Sequence, residues 1–296
     1  MSSDHHVQVF TDVQVHLLQL LEARLSQSIT LLRRLQFTTF PTGKTDSARI
    51  IVASDVPLQE RSASNNIRHF TATYLDPSLG LETNMWLYST FEDSYGAIPA
   101  SPSLSPDEDA LCRQQIIAVL NEARHQARPD HIFIGSLNNA VREGALASGL
   151  RFGPTPTYEY DKFVFHIDKL PLPHELELLS DMVSRSGTVR DCELEAPVDT
   201  AKPVYQAEGR YACGSGVLGV HCEEPFRRRG LAKAVSSELF RTKTRAFSGD
   251  NFAAADVAPD NASSQAMCKS LNGRVHWAGS WALLDIRDAV QLCHEF

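Results

Sequence analysis

Between Gly216 and Phe240 the chain reads GVLGVHCEEPFRRRGLAKAVSSELF. The first part has the pattern of a strand running to Glu223. A basic, glycine-containing turn follows from Phe226 to Ala232, and a helix begins at or just after Gly230. Gly230 and Ala232 are small, so a ligand can approach the backbone there. The N–H groups of Arg228, Arg229, Gly230, Leu231 and Ala232 have no partner inside the coming helix, and the helix dipole favours an anion beside them. Arg227, Arg228 and Arg229 add positive charge. A phosphate-binding turn is one reading of this pattern; a solvated basic turn before an ordinary helix is the other.

Other chemistries lack their residues. No GxxxxGK[ST] loop and no GxGxxG after a strand are present, and the GSG at Gly214–Gly216 reads as a hairpin turn. There is no GxSxG elbow. His221 and Cys222 are adjacent, but no second ligand pair lies at metal spacing, so no metal is expected. Asp256 and Trp277 read as structural residues.

The elements around this turn fall into two halves, within one globular chain. At about 100–200 residues per domain, 296 residues suggest two domains or one large one. A hydrophobic share of 43% supplies a core, which excludes a disordered chain. A net charge of -8 argues against a general nucleic-acid binder. The N-terminus lacks the basic and apolar regions of a signal peptide, and Glu22, Arg24, Arg33 and Arg34 interrupt the leucine-rich stretch Val15–Leu35, so no membrane span is expected. Cys112, Cys192, Cys213, Cys222, Cys268 and Cys293 form no pairs, which reads as reduced thiols in a cytoplasmic protein.

Leu17, Leu21, Leu25, Ile29 and Leu32 predict one helical face. His69–Leu75 and Leu81–Phe91 predict a hairpin around Asp76–Gly80. A helix over Asp109–Gln126, capped by Ser105 or Asp107, a strand at His131–Gly135, a helix over Asn138–Ser148 and a strand at Lys162–Ile167 complete the first half. The segment LPLPHE, Leu170–Glu175, reads as a linker and places a boundary near residue 169. The second half predicts a helix over Glu175–Ser184 and strands at Val204–Glu208 and Val217–Glu223. A helix over Leu231–Thr244, a strand at Phe252–Val257, a helix over Ala262–Leu271 and a strand at Trp281–Ile286 follow. The alternation predicts a mixed α/β layer structure.

The turn also resembles the central signature of the GCN5-related N-acetyltransferase (GNAT) superfamily: arginine or glutamine, two residues, glycine, one residue, glycine or alanine. Arg227, Gly230 and Ala232 satisfy it. Phe252–Val257 followed by Pro259, Asn261 and Ser264 is similar to the superfamily's fifth strand and next helix, and SLNGR at Ser270–Arg274 to its ending. HCEEPFRRRGLAKAV, ADVAPDNASSQAMCKSLNGR and Trp281 are most similar to the glycine-N-acyltransferase-like, FR47-like branch, and within it to fungal members. The resemblance implies an acyl-CoA N-acyltransferase (GNAT) fold of mixed α/β type, in tandem: a degenerate N-terminal half, residues 1–169, and a coenzyme A-binding C-terminal half, residues 170–296.

It also implies roles. Arg227, Arg228, Arg229, Gly230, Leu231 and Ala232 would hold the pyrophosphate of acetyl-CoA or another acyl-CoA. Asn261 and Ser264 would meet the pantetheine arm, and main-chain N–H groups from Val220 to Cys222 would polarise the thioester carbonyl. Glu223 or His221, on one strand face, would take the proton of the attacking amine. Cys268 stands seven residues after Asn261, where relatives often carry a tyrosine acid. It is either a thiol acid or a small packing residue. Residues 185–204 are short for the helices of an acceptor wall. The expected partner is a small-molecule or peptide amine, with no nucleic acid and no membrane, on a monomer or weak homodimer. The rivals are a coenzyme A-binding protein without turnover and an interaction protein that docks through its N-terminal half.

Overall fold

The computed structural model describes residues 6–41, 43–58, 67–79, 83–98, 102–126, 131–153, 158–172, 205–208, 219–222, 224, 227–244 and 248–285. The first half comprises β1 (His6–Phe10), α1 (Val15–Glu22), α2 (Ile29–Phe37), β2 (Arg49–Ser54), β3 (Phe70–Leu75) and β4 (Met85–Ser89). It continues with α3 (Pro106–Gln126), β5 (His131–Asn138), α4 (Asn139–Ala147) and β6 (Tyr158–His166). The second adds β7 (Tyr205–Glu208), β8 (Gly219–Cys222), α5 (Leu231–Lys243), β9 (Phe252–Val257), α6 (Ala262–Ser270) and β10 (Arg274–Asp285). The predicted helix over Glu175–Ser184 lies outside the described residues.

Among the described residues eight strands form one sheet in the order β1-β2-β3-β4-β5-β10-β6-β9, and β7 pairs with β8 separately. Among the described strands only β4 and β5 are parallel, meeting at Met85 and Ile134. The hairpin of β3 and β4 is present, with Leu75 opposite Met85. Strand β10 runs from Arg274, longer than the Trp281–Ile286 strand expected, and lies between β5 and β6. The sheet therefore crosses residue 169 without a break. Over its last four strands, β5-β10-β6-β9, the two halves alternate: β5 and β6 come from the first, β10 and β9 from the second.

Among the described residues three apolar clusters hold the layers. Helices α3 and α4 cover Ile51, Met85, Leu87, Ile132, Ile134 and Leu284. Helices α1 and α2 cover Ile50, Val52, Phe70, Tyr74 and Trp86 on the opposite strand parity. Helices α5 and α6 cover Phe163, Phe165, Ala253 and Val257.

The single helical face expected from Leu17 to Leu32 is split. Helix α1 ends at Glu22 and α2 begins at Ile29, with Ser28 donating its hydroxyl to Leu21 O at 2.5 Å across the break. The break lets α2 bury Arg33 and Arg34 as well as its leucines, so it is covered on more than one face. Arg34 lies over the Tyr74 ring at 4.0 Å and donates to Gly43 O at 2.8 Å. Helix α3 starts earlier than expected, at Pro106, a residue suited to a first helical position. Ser105 and Glu108 cap it reciprocally: Ser105 N donates to Glu108 Oε2 at 2.9 Å, and Glu108 N to Ser105 Oγ at 3.4 Å.

Candidate functional site at the Arg227–Ala232 turn

Gly230 is the N-cap of α5, in the left-handed region at φ 76°. Arg228 is also left-handed, at φ 63°, whereas Arg227 and Arg229 are not. Alternation of hand over four residues turns successive N–H groups toward one side, the geometry of an anion-binding nest. Among the described residues nothing lies within 4 Å of where a Gly230 Cβ would stand, so the turn is open to approach. Residues 227–230 are exposed, and the first turn of α5 contains no acid.

Strand β8 delivers the chain to this turn. Its residues Val220, His221 and Cys222 pair in register with Ala207, Gln206 and Tyr205. Glu223, the other proton-acceptor candidate beside His221, lies outside the described residues. Helix α5 packs on β8 and on α6. At the start of α6, Asn261 Oδ1 accepts from Ser264 N at 3.0 Å. Asn261 is thus a helix cap as well as a cofactor candidate. Ser264 is half-buried one turn inside.

Cys268 lies two turns into α6 and is 1% exposed, in the cluster with Phe163, Phe165, Phe240 and Leu271. Burial pushes its thiol up to about 12. This environment supplies van der Waals neighbours and no charge to stabilise a thiolate.

Asp256 and Trp277 belong to a buried group across the last three strands of the sheet. Lys162, Asp256 and Trp277 stand side by side on β6, β9 and β10. Lys162 Nζ lies 2.6 Å from Asp256 Oδ1 and 5.0 Å from the centre of the Trp277 ring. Lys162 carried no signal in the sequence beyond its place in a strand. The same holds for Arg33, which read as a charge interrupting an apolar helix and is wholly buried against Asp250.

The first half repeats the site's element order with different chemistry. Strand β5 ends on Asn138, whose Oδ1 accepts from Ala140 N at 2.9 Å and caps the nine-residue α4, as Asn261 caps the nine-residue α6. Between β4 and α3, however, the counterpart of the basic turn is a 3-10 turn, Thr90–Ser94, followed by a loop. Glu92 in that turn is buried. Desolvation pushes its carboxyl well above the usual range, against the hydrogen bond from Ser89 N and the charge of Lys162. Helix α3 then opens with Asp107, Glu108 and Asp109 in its first turn.

Among the described residues no three histidine, cysteine or acidic side chains are grouped to hold a metal ion, and no helix is long and apolar enough to cross a membrane.

A family match, together with the mixed sheet, places the chain in the GNAT superfamily of acyl-CoA N-acyltransferases. More narrowly, residues 5–177 match the family described as the acyl-CoA N-acyltransferase verG N-terminal domain, and the chain belongs to that family. No curated protein sequence matches it. Among solved structures, a Drosophila protein shares the fold, with a TM-score of 0.58 at 13% identity over 95% of this chain and 98% of its own. A tandem GNAT protein from the clavulanic acid biosynthesis pathway, solved without acetyl-CoA, gives 0.46 at 11% identity over 95% and 98%. A GCN5-related N-acetyltransferase from Sphaerobacter thermophilus gives 0.44 at 13% over 94% and 95%.

Proposed function

We propose that the chain moves an acyl group from coenzyme A to an amine, with the co-substrate held by the C-terminal half, residues 170–296, and no second site in residues 1–169. One contrast carries this reading. The two helices at matching places in the two halves, α5 after β8 and α3 after β4, start with opposite charge. Before α5 stand three arginines and a nest of alternating hand. At the start of α3 stand Pro106, which has no N–H, and three carboxylates. A diphosphate gains hydrogen bonds and charge at the first and is repelled at the second.

In this reading the N–H groups from Arg228 to Ala232 bind the diphosphate, with Arg227–Arg229 adding charge. Asn261 and Ser264 meet the pantetheine arm, and main-chain N–H groups of Val220 to Cys222 polarise the thioester carbonyl. The amine attacks that carbonyl and the carbon–sulfur bond breaks. The amine's proton passes to Glu223, or to His221, directly or through water. Cys268 packs the core, and the departing thiolate takes its proton from solvent water. The acyl group is acetyl or longer, and the acceptor is a small-molecule or peptide amine.

A coenzyme A-binding protein without turnover is the second reading. The apolar surroundings of Cys268, at a position where relatives often carry a tyrosine, favour it. Release of free thiol from acetyl-CoA and longer acyl-CoA in the presence of a panel of amines separates the two. Amine-dependent release, reduced in Glu223→Gln, supports transfer. Tight coenzyme A binding with no release on any amine supports the second reading.

A further inference from the structure

Strand β9 leads into the segment that, on the functional reading above, meets the cofactor arm, and it is poorly equipped to hold its own place. Its sequence, FAAADV, contains three alanines, which pack weakly on a sheet. Among the described residues it has one neighbour, β6, at the end of the eight-stranded sheet. Small side chains on both faces give little shape to specify register, and a slip of one residue would turn every side chain over.

Two buried cations from the first half meet two carboxylates at the ends of this strand. At its start, Arg33 on α2 is 0% exposed. Its Nη1 donates to Asp250 Oδ2 at 2.6 Å, and its Nη2 donates to Asp250 Oδ1 and to Phe252 O, the latter at 2.7 Å. Gln36 Oε1 accepts a further bond from Nη1 at 2.8 Å. Asp250 in turn accepts from Phe252 N at 2.9 Å, so the Arg33–Asp250 pair holds both backbone groups of the first β9 residue, Arg33 the carbonyl and Asp250 the N–H. At the other end, Lys162 on β6 pairs with Asp256. Beyond Asp256 the chain turns tightly, with Asn261 N bonded to Ala258 O at 3.0 Å, and Asn261 caps α6. There is little slack between the second clamp and the candidate cofactor contacts.

We infer that Arg33 and Lys162 are positioning residues: they set the register of β9 and thereby place Asn261 and Ser264 for coenzyme A. Burying an ion pair is not in itself a route to stability, because desolvation offsets the attraction, and neutral replacements of both partners are often tolerated. That separates positioning from mere stabilisation. The test uses the full chain and two double variants, Arg33→Met/Asp250→Asn and Lys162→Met/Asp256→Asn, neither of which leaves a buried charge unpaired. Three quantities are read: the melting curve, amide hydrogen exchange over residues 253–257, and the affinity for coenzyme A by titration calorimetry.

The expected result is a melting curve near that of the wild type, faster exchange in β9, and affinity lower by about tenfold, since small displacements of positioned groups have effects of that order or more. Arg33→Lys keeps the charge without the fork and should lose affinity to a lesser degree; it carries the test if a double variant does not fold. Folded variants with wild-type affinity overturn the inference, whatever their exchange rates. If the wild-type chain takes up no coenzyme A, the functional reading falls, and unchanged protection of 253–257 in the variants overturns the clamp separately.

Discussion

Cys268 and His276 show how far burial decides what a side chain can do. The thiol of Cys268 is surrounded by Phe163, Phe165, Phe240 and Leu271, and burial raises it to about 12. Replacement by serine should leave the transfer rate nearly unchanged. Replacement by tyrosine should overpack the cluster and lower stability by roughly 1–3 kcal/mol. Steady-state rates read beside melting curves check both, and a serine variant slowed well beyond its loss of stability contradicts the packing role. His276, on β10, lies 2.6 Å through Nδ1 from Ser26 Oγ. Burial, with the charges of His166 and Arg274, lowers it from 6.5 to about 4. The folded chain therefore keeps it neutral while the unfolded chain protonates it. Its contribution to stability is whole above 6.5 and is lost progressively as pH falls toward 4. Urea unfolding across that range should show a slope that His276→Gln flattens; an unchanged slope contradicts the assignment. Neither environment is visible in the sequence, because both arise where distant strands and helices close over a residue. The turn at Arg227–Ala232, by contrast, is legible, since its glycine and its arginines are consecutive.

At the scale of elements, the sequence shows segments with strong local pattern and hides those defined by neighbours. The hairpin of β3 and β4, the helix α3 and the units β9–α6 and β5–α4 follow from alternation, caps and glycine stops. Strands β1 and β2 do not: they lie among mixed residues and gain their identity from pairing with each other and with β3. The partners of β10 are equally hidden. Its register is set by β5 on one side and β6 on the other, across more than one hundred residues of chain on each side. A consequence is testable. Residues 1–169 made alone lack the strand between β5 and β6, and residues 170–296 made alone lack the strand between β10 and β9. Each should fail to give a cooperative melting transition, and production of both together should restore one. A cooperative transition in either piece alone contradicts this interlocking.

At the scale of the whole molecule, the two halves repeat one order of elements and differ in charge at one helix start. The repeat is carried by backbone, with asparagine caps at Asn138 and Asn261 and helices of nine residues after each. The difference is carried by side chains, three carboxylates at α3 against three arginines before α5. The proposed function predicts one coenzyme A per chain, bound at the second half. Titration calorimetry of the full chain with coenzyme A, repeated for Gly230→Val, is the most direct measurement. A valine at Gly230 must adopt a left-handed φ of 76° and puts a side chain over the open turn. The account predicts a stoichiometry near one for the wild type and at least tenfold weaker binding for the variant, a loss of about 1.4 kcal/mol or more. Equal affinity for the two proteins, or two equivalents bound by the wild type, contradicts it.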